Sequence, residues 1–311
     1  MDPKFTPMKN RNSIYIIAAL TLLISFKSNG QQDPSYSMFM YNGTSINPAI
    51  AGSAGSLSGT ALYRDQWIGV NGAPITQFLN VDLPVYHDKV GLGIVVYNDK
   101  IGVTRNQNIE TQYAYRLKFE KGILAMGIQV GLNHFNADYA SVITNSQNTI
   151  DNTFSDVTNS ISLNVGTGLF YYTEKFSVGF SIPKLINKSR DGLNHSDNYR
   201  KYYMTASYTI DLSADWIFKP STLLRIGEGM PFQIDINSNF WFRKKYGIGV
   251  SYRSNDSISG LFQLKVGHDF TVGYAYDYTI SRLSQFVNGS NELMIRITIP
   301  TSNDVINQRT F

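Results

Sequence analysis

The sequence predicts an all-β fold, a transmembrane antiparallel β-barrel of about fourteen strands in an outer membrane. Three observations carry this reading. Apolar/polar alternation recurs from about Leu57 to Ile299, the connections between the alternating runs sort by length, and an export signal precedes them. Successive strand side chains point to opposite faces, so alternation makes a ribbon with one greasy side and one small or polar side. Ile123 to Leu132 shows it best: Leu124, Met126, Ile128, Val130 and Leu132 share one face, and Ala125, Gly127, Gln129 and Gly131 the other.

Taken in chain order, residues 1–30 read as a signal peptide cleaved near Gly30. Lys4, Lys9 and Arg11 make a basic start, Ile14 to Phe26 is mainly apolar, and Ser28-Asn29-Gly30 is small or polar. The apolar run falls short of the roughly 20 residues that a spanning helix needs. The chain has no Cys, which excludes a lipid attachment site, disulfides, thiolate metal sites and cysteine nucleophiles.

The formal charge of +4 comes largely from this leader, which holds four of the 27 Lys+Arg and one of the 23 Asp+Glu. The rest is nearly neutral and gives no support to a nucleic-acid partner. With 13% aromatic and only 16% charged residues, the chain is neither disordered nor an ordinary soluble surface.

Residues 31–56 form an arm ahead of the first strand. Asn47-Pro48-Ala49-Ile50-Ala51-Gly52 and its neighbours favour fixed turns. Tyr36, Met38, Phe39, Met40 and Tyr41 are too greasy for a solvated tether. The arm is expected to pack against the barrel, in its mouth or at its periplasmic rim.

The barrel is expected over 57–299 and a tail over 300–311. Its strands are placed near 57–67, 75–86, 89–98, 105–119, 122–135, 160–173, 175–182, 201–212, 216–226, 232–242, 245–254, 257–267, 270–278 and 291–299. Val90, Leu92, Ile94 and Val96, or Leu293, Ile295, Ile297 and Ile299, mark the oily face. Pro220 makes the ninth strand the least regular, because proline cannot donate to a ladder and belongs at an edge, bulge or strand end.

A soluble sandwich also alternates, so the connections decide. His87-Asp88, Glu120-Lys121, Glu174-Lys175, Ser213 to Asp215, Arg243-Lys244 and His268-Asp269 are tight. The connections of the other parity include the long ones, Asn136 to Asn159, Pro183 to Arg200 and Thr279 to Ser290. An outer-membrane barrel has short periplasmic turns and longer outer loops. Tyr171-Tyr172, Tyr202-Tyr203, Trp216, Trp241-Phe242 and Tyr276 lie towards strand ends and are expected at headgroup level.

No catalytic, cofactor or metal constellation emerges. His87, His134, His195 and His268 are scattered and none has metal-ligand spacing. Gly91, Gly93, Gly247 and Gly249 lie inside strands, with no helix N-terminus to hold a phosphate, and read as lumen positions that leave room for bulk from elsewhere. Glu110, Arg116, Asp235, Arg253, Asp277, Glu292 and Arg296 alternate out of phase with the oily face. Charge of mixed sign there points to an interior salt-bridge network or a plugged lumen rather than an ion-selective pore.

Several blocks give the chain a family likeness. They are Gln32-Asp33-Pro34, Tyr41, Asn47-Pro48-Ala49-Ile50-Ala51-Gly52, Arg64-Asp65-Gln66-Trp67-Ile68-Gly69, Gly72-Ala73-Pro74-Ile75-Thr76, Ser181-Ile182-Pro183-Lys184-Leu185, Tyr252-Arg253, Gly273-Tyr274-Ala275-Tyr276-Asp277 and Gly289-Ser290-Asn291-Glu292. In this order they make the chain resemble the PorP/SprF family of type IX secretion outer-membrane proteins, which serve gliding and secretion in the Bacteroidetes. The family more often has His where Asn291 stands and an aromatic where Ile50 stands.

The resemblance implies a non-enzymatic barrel beside a secretion machine. Its partners would be outer-membrane lipid, and a secreted adhesin recognised through its C-terminal secretion domain or periplasmic ring and lipoprotein components. Asn47, Pro48, Gly52, Arg64, Gln66, Trp67, Gly72, Pro74 and Thr76 are its motif residues here. They are expected to staple the first hairpin rather than to touch cargo. Asp277 and Glu292 are expected to pair with Arg253 or Arg296. The alternative function is passive transport of small or hydrophobic molecules.

Overall fold

A computed structural model describes residues 35–86, 88–139, 157–189, 200–227 and 230–301. The signal reading over 1–30, the end of the tail, His87, His195 and most of the two longest connections lie outside the described residues.

Fourteen antiparallel strands close into one barrel. They are β1 (Ser56–Asp65), β2 (Ile75–Val85), β3 (Val90–Ile101), β4 (Thr104–Phe119), β5 (Gly122–Asp138), β6 (Val157–Tyr172) and β7 (Phe176–Ser189). Then come β8 (Lys201–Tyr208, resuming at Ile210–Asp211), β9 (Trp216–Gly227), β10 (Met230–Phe242), β11 (Tyr246–Arg253), β12 (Ser257–Val266), β13 (Phe270–Thr279) and β14 (Ser290–Pro300). Every expected run is a strand. Neighbours in sequence pair with each other, and β14 closes the cylinder on β1, from Ser56 opposite Pro300 to Asp65 opposite Asn291. Closure leaves no edge, and lipid requires that, since it offers no partner for an unpaired backbone group.

The faces follow from the period of two. Leu92, Ile94 and Val96, Met126, Ile128, Val130 and Leu132, and Leu293 and Ile295 all point outwards. Opposite them, Ala125, Gln129, Ser251, Gln263 and Asn237 are buried inside. The six tight turns lie at one end, hereafter the short-turn end. The other end carries the long connections, but also the sharp β3–β4 reversal at Gly102-Val103 and the β11–β12 turn at Ser254 to Asp256. Strands β3, β5, β6 and β7 run further towards that end than the alternation suggested.

Two prolines are accommodated by irregularity. Pro220 sits within β9 opposite Ser238, where the neighbouring strand β8 is interrupted at Thr209 and the Thr209 N–H turns away to the Lys175 carbonyl at 2.7 Å. Pro183 sits in a register shift between β6 and β7, and its carbonyl turns inwards to accept from Gln129 Nε2 at 3.0 Å. A residue without an N–H fits where the ladder is already broken.

The aromatic expectation needs correcting at three residues, since Tyr172 packs inside against Ile50 and Phe170, Tyr203 packs inside against Phe39, Ile46 and Leu223, and Trp241 is inside as well. Trp216 faces outwards and packs against Phe242, with ring centroids 5.0 Å apart. Trp241, by contrast, is inside the lumen and only 1% exposed, in a cluster with Met38, Tyr41, Leu261 and Met294. Parity puts it on the same face as Asp235, Asn237 and Asn239, and the backbone obeys parity.

Candidate functional site

The interior of the barrel is occupied by the chain's own residues 35–55. They enter beside Arg225 and Arg253, near the ends of β9 and β11 that border the long connections. They then descend to join β1 at the short-turn end. This is deeper than the mouth or rim position expected from the sequence. The reason is volume: small residues line much of the wall and leave space that a turn-rich segment can fill.

The segment folds as three short 3-10 turns, Phe39–Tyr41, Gly43–Ser45 and Pro48–Ile50. Asn47 caps the third turn, its Oδ1 accepting the Ala49 N–H at 2.9 Å. Its Nδ2 donates to the Leu169 carbonyl at 2.9 Å, so one side chain both caps the turn and ties it to β6. Pro48 opens that turn, where no N–H is needed. Gly52 then takes a φ of +65°, and its N–H donates to Asp82 at 2.8 Å.

Backbone meets backbone at the wall. A Cβ on Gly91 would lie 1.9 Å from the Ala51 carbonyl oxygen, and one on Gly127 would lie 2.2 Å from the Ala49 nitrogen. The glycines are the slots into which the arm lies. Side chains from the wall then grip its carbonyls: Arg116 holds Ala51, Gln112 holds Thr44 at 2.7 Å, Ser181 holds Ile46 at 2.7 Å, and Arg296 holds Tyr41 at 3.0 Å.

The upper part of the arm is held by charge. Glu292 accepts the N–H groups of Ser37 and Met38 at 2.9 and 2.8 Å, and Asp277 accepts the Ser37 hydroxyl at 2.6 Å. Both carboxylates are held by Arg64, at 2.6 Å for Asp277 and 2.9 Å for Glu292. Beside them Arg253 and Arg225 both reach Asp235, Arg253 also donates to the Tyr36 carbonyl at 3.0 Å, and Arg225 donates to the Ser35 hydroxyl. Three guanidiniums and three carboxylates thus share a nearly dry site. Such a cluster persists only when each charge is both paired and hydrogen-bonded.

The residues singled out from the sequence are therefore distributed as follows. Asn47, Pro48 and Gly52 belong to the lumen segment. Arg64, Asp277 and Glu292 form one ion-pair cluster, and Asp235 and Arg253 form the adjoining one. Arg116 and Arg296 hold the arm's carbonyls. Glu110 is buried on the lumen side and accepts from Asn108 at 2.6 Å.

The partner of the two carboxylates is thus Arg64, not Arg253 or Arg296 as expected. Arg64 stands one residue from the end of β1, and its side chain points into the lumen.

Gln66, Trp67, Gly72 and Pro74 brace the end with the long connections. The Gln66 N–H donates to the Pro74 carbonyl at 3.0 Å, and the Trp67 N–H to Ser290 Oγ at 3.2 Å. The Gly72 carbonyl accepts from Gly102 at 2.8 Å, and Ile68 and Asn288 to Gly289 exchange bonds of 2.9 and 3.0 Å. Thr76 donates to Asp99 inside the barrel. The β1–β2, β3–β4 and β13–β14 connections are fastened into one surface.

A polar collar outside this end was missed in the sequence. Gln77, Asn98 and Arg105 are hydrogen-bonded across β2, β3 and β4, and Gln107, His134 and Asn159 across β4, β5 and β6. They stand on the parity of the oily face, at the ends of their strands. A switch from apolar to polar on an unchanged parity marks where the wall leaves the lipid. Among the described residues, no group of three His, Cys, Asp or Glu is placed to hold a metal.

The family model of the type IX secretion system membrane protein PorP/SprF matches residues 28–297. The chain belongs to this family. No protein with a curated description matches it.

Solved barrels share parts of the fold at low identity. The Acinetobacter baumannii outer membrane protein Omp33 is 10% identical over 78% of this chain and 97% of its own, with a TM-score of 0.41. The CymD monoaromatic hydrocarbon channel is 12% identical over 83% and 91%, with a TM-score of 0.46. The KdgM porin is 10% identical over 77% and 98%, with a TM-score of 0.40. The sequence blocks that gave the chain its family likeness coincide with features described above: the arm's third turn, the braced β1–β2 loop, the Pro183 bulge, and the Asp277 and Glu292 carboxylates.

Proposed function

We propose that this PorP/SprF protein is a non-enzymatic outer-membrane component of the type IX machinery that works by docking. Its long-loop end faces outwards and binds secreted cargo, through the cargo's C-terminal secretion domain, or another part of the machine. Its short-turn end is available to periplasmic ring or lipoprotein components.

The observation that carries this reading is the filled lumen. A barrel whose interior is gripped along its length by its own N-terminal segment offers partners its surfaces rather than a wide pore. The braced loops around Gln66 to Pro74 and the polar collar supply a preorganised surface above the lipid, and preorganisation lowers the ordering cost of binding. In this reading Asn47, Pro48, Gly52 and Arg64 act indirectly, by fixing the arm and the seam beneath that surface.

Affinity isolation of the full chain from native outer membrane tests the proposal. Co-purification of a secreted protein by way of its C-terminal domain, or of a periplasmic machine component, is the expected result. Isolation of the barrel alone, with every surface protein exported and attached as before in a deletion strain, would overturn it.

A further inference from the structure

The arm runs through the barrel in one direction. Its first described residues are held at the long-loop end: Ser35 accepts from Arg225, two residues before the end of β9, and the Tyr36 carbonyl accepts from Arg253, the last residue of β11. Further along, Tyr41 is held by Arg296, Gly52 by Asp82 near the close of β2, and Ser56 stands opposite Pro300 at the short-turn end. The cavity bordered by Ser35 and Tyr36 is also bordered by Gly227 and Pro231, which flank the β9–β10 connection at the long-loop end.

Lengths decide where the chain ahead of Ser35 can go. Cleavage near Gly30 would leave four residues, Gln31 to Pro34, which span at most about 14 Å when fully extended. From Arg225 to Trp216 at the short-turn end, β9 runs about 30 Å along the strand, or roughly 23 Å in height at a tilt of about 40°. So short a stub cannot return to the short-turn end. Pro34 also disfavours a helical Asp33, so the sequence favours extended chain there.

We propose that the processed N-terminus stands on the long-loop face, where Gln31 to Pro34 join the loops as part of the docking surface. β1 begins at the short-turn end, so the arm crosses the membrane once inside its own barrel and carries the Gln32-Asp33-Pro34 block to the opposite side. The inference takes from the docking reading only that this face points outwards.

Single-cysteine variants of the full chain in intact cells test it, because the native chain has no Cys. Asp33→Cys is compared with Asn71→Cys in the β1–β2 loop and Ala214→Cys in a short turn, using a bulky, membrane-impermeant maleimide. Asp33→Cys is expected to label within about tenfold of the rate of Asn71→Cys, while Ala214→Cys labels only after the outer membrane is permeabilised. Gln32→Cys serves if Asp33→Cys does not assemble, as judged by heat-modifiable gel migration.

An N-terminal cysteine that labels in step with Ala214→Cys, or that stays protected in the folded barrel after permeabilisation, would overturn the inference. If it labels in step with Asn71→Cys but both need permeabilisation, the shared face is supported and the outward placement in the docking reading fails instead.

Discussion

Arg64 of β1 and Glu292 of β14 are direct cross-strand partners and meet at 2.9 Å inside the lumen. Those two strands form the seam where the sheet closes on itself, so the ion pair joins the first strand to the last. The same carboxylate accepts two N–H groups of the arm, at Ser37 and Met38. One buried contact therefore ties together closure of the barrel and filling of its interior.

Removing Arg64 leaves two carboxylates without their shared cation in a dry site, and removing Glu292 leaves the Ser37 and Met38 N–H groups without their acceptor. Arg64→Met or Glu292→Leu alone is expected to destabilise the folded barrel by about 3–5 kcal/mol, as read from denaturant unfolding in vesicles. Arg64→Lys should also lose stability, because an ammonium cannot present two parallel donors to two carboxylates. A loss within experimental error for all three would show that the cluster is not holding the seam.

Filling the glycine slots should evict the arm without opening the wall. Gly91→Val and Gly127→Val place side-chain carbon where the Ala51 and Ala49 backbones lie. The barrel is expected to keep its heat-modifiable migration while the segment around Phe39 and Tyr41 becomes cleavable by chymotrypsin. Continued protection of that segment would contradict the packing described.

The two faces of β5 should respond oppositely to charge. Ile128→Arg, on the lipid side, is expected to cost about 2–4 kcal/mol of folding stability if it lies near the midplane. Gln129→Lys, next to it but facing inwards, should cost less, because its ammonium keeps a donor for the Pro183 carbonyl. Equal costs would mean that the faces are assigned wrongly.

Two tryptophans offer an optical version of the same test. In single-tryptophan variants, brominated lipid should quench Trp216, which faces outwards, and leave Trp241 bright in the lumen. Trp241→Ala should lower stability by about 3–5 kcal/mol, as a large buried aromatic lost from a packed cluster.

The strands and their faces were legible because a period of two depends only on neighbours, and a wall with lipid on one side enforces it. Tyr172, Tyr203 and Trp241 were legible by that rule too, and were misplaced only by giving weight to the belt habit of aromatics over parity. The arm's turns were readable from Asn47, Pro48 and Gly52. Its location was not, because what holds it sits far along the chain: Leu169 for Asn47, Arg116 for Ala51, Glu292 for Ser37.

The pairing of Arg64 with Glu292 was hidden for a related reason. Only closure of the barrel brings the first and last strands together, and no local pattern encodes which residues then stand opposite each other. The glycines carried the missing signal: Gly91 and Gly127 leave space on the lumen face at the level where the arm needs it.

The most direct test of the filled lumen uses the absence of native cysteine. Single Met38→Cys and Ile128→Cys variants, folded in vesicles, are exposed to a water-soluble maleimide and to a lipid-soluble one. Met38→Cys is predicted to react with neither until the barrel is unfolded, while Ile128→Cys reacts only with the lipid-soluble reagent. Rapid labelling of Met38→Cys by the water-soluble maleimide in the folded barrel would contradict an interior closed by its own N-terminal segment.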